Sequence, residues 1–139
     1  MVLTASTMLP LGEPLPLSAI QAARAAGHLE QVSGTPLNLK ALNGKPVLVL
    51  FLCAHCPFVK HIEPEVTRLQ HDLADSDLAW LAISSNSTLT HPQDGPEGLR
   101  EQAERWSWRF PYLHDREQEL AHAFRAACTP DLFLFDRQH

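Results

Sequence analysis

The stretch GKPVLVLFLC, Gly44 to Cys53, constrains this chain more than any other. Gly44 and Pro46 open it, and Val47 to Leu52 is an unbroken apolar run rich in β-branched and aromatic residues. A run of that kind with no polar alternation predicts a strand buried on both faces, so layers must cover the sheet above and below. The next segment, FVKHIEPEVTRLQHDLA, sets Phe58, Ile62, Val66, Leu69 and Leu73 at helical spacing. Pro64 lies inside it and is expected to kink the helix. LAWLAISS, Leu78 to Ser85, reads as a second buried strand. PEGLREQAERWSW reads as a helix with Pro96 near its start. FPYLHD is a short extended piece, REQELAHAFRAA a helix, and Leu132–Phe135 a final strand after a turn. After residue 44 the order is β, α, β, α, α, β. Alternating strands and helices imply an α/β sandwich with a largely parallel central sheet flanked by helices.

The part before residue 44 is less regular. Residues 1–17 contain Pro10, Pro14 and Pro16 and read as an extended arm rather than a packed element. LSAIQAARAAGH, Leu17 to His28, is rich in strong helix formers, with Ser18 as an N-cap and Gly27 as a stop. TPLNLKAL, Thr35 to Leu42, reads as a short strand. The chain of 139 residues suits one domain, 1–139, and an apolar content of 45% is enough for its core. The net charge is −5 and the charges are mixed along the chain, which argues against nucleic acid or an anionic membrane as partner. Val47 to Cys53 is too short to span a bilayer. The N-terminus lacks an early Lys or Arg and carries prolines where a leader would be apolar, so the expected location is the cytoplasm. An odd count of three cysteines argues against a purely structural disulfide framework.

Chemistry concentrates in FLCAHCPFVKH, Phe51 to His61. Cys53 ends the buried strand, and Cys56 starts the helix, with Pro57 at the first helical position. Free N–H groups and the helix dipole favour an anion there, which makes a thiol in that place more acidic. The thiolate is the attacking species in thiol–disulfide exchange, and a second thiol three residues away can close a disulfide. Two other readings stand beside this one. The cysteines can be small core residues. With His55, His61 or Cys128 they can also form a zinc set, but a second paired-ligand motif is missing. His61, His71, His91, His114 and His122 read as surface or helix-face residues rather than ligands. Thr129–Pro130 stands just before the last apolar strand, either as an ordinary turn or as a cis X–Pro bond facing the cysteine pair.

Read together, MLPLGEPLP, GKPVLVLFLCAHCPFVKHIEPE, LAISSNS, HPQDGPEGL, FPYLHDREQELAHAF and CTPDLFLFD resemble successive blocks of the peroxiredoxin-like branch of the thioredoxin superfamily (redoxin, AhpC-TSA-like). Those proteins carry a C-N-H-C-P-[FY]-V-K segment, and Ala54 stands here in place of Asn. The likeness covers most of the chain from Met8 onward and is weakest from Leu17 to Leu39, where an Ala-rich stretch replaces a short hairpin. It implies a thioredoxin-like fold with a cis Thr129–Pro130 bond. In related membrane-anchored reductases the nucleophile comes ten residues after the proline of PVLV; ten after Pro46 is Cys56. Cys56 therefore aligns with the nucleophile, and Cys53 is the resolving partner, placed upstream. Peroxiredoxins carry Thr or Ser three residues before their cysteine and Pro seven before. Cys53 and Val49 occupy those positions here, which counts against efficient peroxide reduction. Cys128 is expected to lie near the pair as a bystander, or else as an alternative resolver. Family members continue past LFLFDRQH with another strand and a helix. The chain is thus expected to be truncated relative to them, leaving Leu132–Phe135 as an apolar edge open to self-association.

The expected activity is thiol–disulfide exchange, with Cys56 attacking and Cys53 resolving. Pro57, Thr129, Pro130 and Cys128 are expected to support the pair. No organic cofactor and no metal are expected. Substrates would be a disulfide-containing protein, a small thiol or a peroxide, with a thioredoxin-type reductant as electron source. The alternatives are a thiol peroxidase in which Cys56 passes through sulfenic acid, and a non-catalytic thioredoxin-like binding protein.

Overall fold

The computed structural model describes Thr7 and residues 9–139. Its strands are β1 (Leu29–Ser33), β2 (Val47–Phe51), β3 (Ala79–Ser84), β4 (Tyr112–Asp115) and β5 (Asp131–Phe135). Its α-helices are α1 (Leu17–Ala25), α2 (Pro57–Asp72), α3 (Pro96–Trp106) and α4 (Glu119–Phe124). The strands form one mixed sheet in the order β1-β4-β3-β2-β5. The inner pairings β2–β3 and β3–β4 are parallel; β1–β4 and β2–β5 are antiparallel.

All five residues of β2 are buried, as its unbroken apolar run requires. Val47, Val49 and Phe51 face one side, where Leu120 and Phe124 of α4 and Ile20 and Ala23 of α1 cover them. Phe51 sits edge-on to Phe124 and Phe133, with ring centroids 5.3 and 5.8 Å away. Leu48 and Leu50 face the other side, against Val59 and Val66 of α2 and Leu99 and Ala103 of α3. These two helical layers make the α/β sandwich expected from the sequence.

Several local expectations change. Thr35–Leu42 forms no strand; Leu39–Leu42 is a 3₁₀ turn whose cap, Asn38, accepts from Lys40 N at 3.1 Å. A short polar side chain bonding its own backbone competes with strand pairing at this point. β1 lies in the stretch where no strand was expected; only Val32 of its five residues is buried, so it carries little apolar pattern. The extended piece at 110–115 contains a full member of the sheet, β4, with all four residues buried. Ser18 lies inside α1, which starts at Leu17 with Pro16 as its cap, while Gly27 follows the helix at φ 75°. α2 continues through Pro64 as one element. Of the expected N-terminal arm, residues 1–6 and 8 lie outside the described residues. The described part does pack: Leu15 is buried in the α1/α4 core, and Thr7 Oγ1 donates to Arg125 O at 2.7 Å.

β5 is an edge strand with alternating burial. Phe133 and Phe135 enter the core, whereas Leu132 and Leu134 remain 40% and 71% exposed. No helix among the described residues is long and apolar enough to cross a membrane.

Candidate functional site

β2 delivers the cysteines. Beyond Phe51 the chain stays beside β3 for one more residue, with Leu52 N donating to Ile83 O at 2.9 Å. Cys53 follows with no exposure at all. Ala54 and His55 turn the chain, and Cys56 is the N-cap of α2, with Pro57 at the first helical position. Cys56 is partly exposed, and all three cysteines are free thiols.

β5 brings the opposing wall. It runs antiparallel to β2 with Asp131 opposite Phe51, so the residues just before it meet the cysteine turn. The Thr129–Pro130 bond is cis, as anticipated. Thr129 touches both sulfurs: its Oγ1 lies 3.3 Å from Cys53 Sγ, and its carbonyl accepts from Cys56 Sγ at 3.6 Å. Cys53, Cys56, Pro57, Thr129 and Pro130 are therefore brought together. Cys128 is the next residue back and lines a cavity of about 210 Å³ with Phe51, Asn86 and Thr129.

The two thiols of the pair differ in environment. Burial pushes the Cys53 thiol up to about 11, only partly opposed by the Thr129 hydroxyl and the Cys56 backbone N–H. Desolvation disfavours the thiolate, the charged form. Burial, joined by the nearby Asp131, also raises Cys128.

Asp94 was not anticipated. It ends a 3₁₀ turn, Pro92–Asp94, and is fully buried. Its Oδ1 accepts from Ala54 N at 2.7 Å and His55 N at 3.0 Å, which fixes the turn between the cysteines. Its Oδ2 accepts from Asn86 Nδ2 at 3.0 Å and from His55 Nδ1. His91, expected at the surface, stacks on His55 with centroids 3.8 Å apart and planes 11° from parallel. His114, expected likewise, is buried in β4, and burial lowers its basicity. On the far side of the turn Gln102 Nε2 donates to Cys53 O at 2.9 Å and to Glu63 Oε2 at 2.7 Å. Gln102 Oε1 accepts from Tyr112 OH at 2.8 Å. The signal for Asp94 lay in the block HPQDGPEGL, where it is the acid directly before the Gly95–Pro96 turn pair. Nothing local assigns that acid a partner 39 and 40 residues away.

Cys53, His55 and Asp94 bring one donor atom each within 4.8 Å of one another. Both Asp94 oxygens are already engaged, and the group is one ligand short of a structural zinc site. The arrangement is that of a hydrogen-bonded turn beside two thiols. The larger cavity, about 650 Å³, is lined by Trp80, Trp106, Arg109 and the last turns of α2, and none of the cysteines reaches it.

A crystal structure of an uncharacterized conserved protein from Geobacillus kaustophilus is 40% identical, over 79% of this chain and 59% of that one, with a TM-score of 0.72. A hypothetical protein from Sinorhizobium meliloti 1021 is 35% identical, over 78% and 60%, also at 0.72. This chain thus spans about three fifths of the length of these two relatives. A thiol-disulfide isomerase from Corynebacterium glutamicum is 25% identical over 78% of this chain and 75% of that one, with a TM-score of 0.66. No curated protein matches the chain. The fold is thioredoxin-like, and the AhpC/TSA family matches residues 21–139. With a buried strand, a C-x-x-C turn, a helix and a cis-proline wall in that order, the chain belongs to the AhpC/TSA family.

Proposed function

We propose that the protein is a thiol–disulfide oxidoreductase in which Cys56 attacks and Cys53 resolves. The observation that carries this reading is the contact of Thr129 with both sulfurs, combined with their unequal exposure. Cys56 is the thiol a substrate can reach, at the N-cap of α2. Cys53 is sealed behind it. The Cys56 thiolate attacks a substrate disulfide; a Cys56–substrate bond forms and one substrate thiolate leaves. The Cys53 thiolate then attacks the Cys56 sulfur, the internal disulfide forms, and the second substrate thiolate departs. Two electrons pass from the protein to the substrate, and a thioredoxin-type dithiol returns them. The Corynebacterium relative's description as a thiol-disulfide isomerase favours the same chemistry.

Membership of the AhpC/TSA family favours a second reading, peroxide reduction through a Cys56 sulfenic acid. Turnover of a protein disulfide and of hydrogen peroxide, each with wild type and Cys56→Ser, separates the two. Cys56-dependent disulfide turnover is expected. Turnover of peroxide alone would replace the first reading with the second, and Cys56-independent behaviour in both assays would leave only a binding role.

A further inference from the structure

Resolution presents a chemical problem. Cys53 must lose its proton to attack, yet it is fully buried. A thiol in that position cannot give its proton directly to bulk water. Some group beside it must accept the proton.

His55 is placed to do so. The Cys53 sulfur, a His55 ring nitrogen and an Asp94 oxygen all lie within 4.8 Å of one another. Hydrogen bonds of this kind are often long before substrate binds and tighten in the reacting complex. Asp94 fixes the ring. The carboxylate against Nδ1 holds the ring in one orientation, with a ring nitrogen beside the Cys53 sulfur. Asn86 and two backbone N–H groups hold the carboxylate in turn. The His91 ring, stacked face to face, blocks rotation on the other side.

We propose that His55, oriented by Asp94, is the base that takes the Cys53 proton during resolution and returns it to the departing substrate sulfur. This rests on the exchange reading above. In the step, the Cys53 S–H bond breaks and its proton moves to the imidazole. The Cys53–Cys56 disulfide forms as the Cys56–substrate bond breaks. The imidazolium then gives its proton to the substrate thiolate, so no outside reactant is needed. His55 acts on a reacting atom; Asp94 is a positioning residue.

The other titratable groups facing this pair are His91 ahead of the 3₁₀ turn, Cys56 at the head of α2, Glu63 on α2, and Tyr112 and His114 on β4. His91→Gln is therefore the control for a pH effect that does not originate at His55.

The test is stopped-flow reaction of the reduced full chain with 5,5′-dithiobis(2-nitrobenzoate). Attack by Cys56 releases the first chromophore at a rate that depends on reagent concentration. Resolution by Cys53 releases the second at a rate that does not. Without a base the second phase must follow hydroxide, rising about tenfold per pH unit below the thiol's own ionisation. Wild type is expected to show a shallow rise between about pH 7 and 9, because an imidazole accepts the proton. His55→Gln is expected to lower the ratio of second-phase to first-phase rate at least about tenfold at pH 7 and to restore the steep slope. Asp94→Asn keeps acceptors for the two backbone N–H groups, so it guards against misfolding; it should give a smaller loss with the same steepening. A ratio and slope unchanged in both variants, with folded circular dichroism spectra, would overturn the proposal. So would a loss that is equal at every pH, which marks a structural role. If wild type shows no second phase, or Cys53→Ser retains it, the exchange reading itself fails and this step fails with it.

Discussion

The two strands that build the site, β2 and β5, lie side by side, yet their surroundings differ. Around the carboxyl end of β2 the polar groups of the cysteine turn are tied together. Asp94 accepts from four donors, and Gln102 joins Cys53, Glu63 and Tyr112. Along β5 only one face is covered, and Leu132 and Leu134 face outward from a strand that has no further neighbour in the sheet among the described residues. The first region can hold two sulfurs in fixed geometry. The second has apolar area and backbone groups left over for another chain. A buried network tolerates little change, whereas an exposed edge tolerates change in sequence but favours association.

The largest expected effect lies in the network. Asp94→Ala would leave four part-buried donors without their acceptor, where a fully buried group left without a partner costs roughly 1–3 kcal/mol. We expect a loss of about 3 kcal/mol or more, read from urea unfolding midpoints. A loss below about 1 kcal/mol would show that the turn is not held by this carboxylate.

Next in size is Tyr112→Phe, which removes one buried hydroxyl from Gln102 and should cost about 1 kcal/mol. It is measured in the same way. The pair of variants ranks the two sides of the cysteine turn.

Stability at high pH depends on Cys53. Its folded-state ionisation is raised to about 11 by burial, so the folded protein keeps a proton that the unfolded chain releases at lower pH. The stabilising contribution is complete below the unfolded thiol's range and is lost as pH rises through about 11. Tyr112, raised by the same burial, acts in the same direction at still higher pH. Unfolding midpoints should therefore fall between pH 9 and 11, and less steeply in Cys53→Ala. Equal slopes in the two proteins would remove Cys53 as the cause.

The smallest change in stability belongs to the edge. Leu134→Lys should alter the unfolding free energy by no more than about 0.5 kcal/mol, as surface substitutions do. Its effect should appear in assembly. We predict that the 139-residue chain self-associates through β5 and that Leu134→Lys shifts sedimentation velocity profiles toward monomer. A monomeric wild type at high concentration would count against the edge.

Legibility in the sequence followed the same division. Val47–Leu52 announced β2 because burial on both faces leaves an unbroken apolar run. The helices α2 and α3 followed from spacing and their prolines. β1 carried no such signal because its only buried residue is Val32. The strand expected around Leu39 was a 3₁₀ turn because Asn38 bonds its own backbone there. In the site, Cys53, Cys56 and Thr129–Pro130 were visible as motifs. Asp94 was not, because its role depends on a fold that brings residue 94 to residues 54 and 55. His114 was misjudged for the same reason: burial is a tertiary property that residue type does not encode.

Trapping the intermediate distinguishes the attacking thiol from the resolving one. Cys53→Ser, reduced and then exposed to a disulfide substrate, is mapped by mass spectrometry after acid quenching. A mixed disulfide is expected to accumulate on Cys56, while Cys56→Ser forms none on Cys53. A mixed disulfide on Cys53 in Cys56→Ser, formed as fast as wild type reacts, would contradict this assignment.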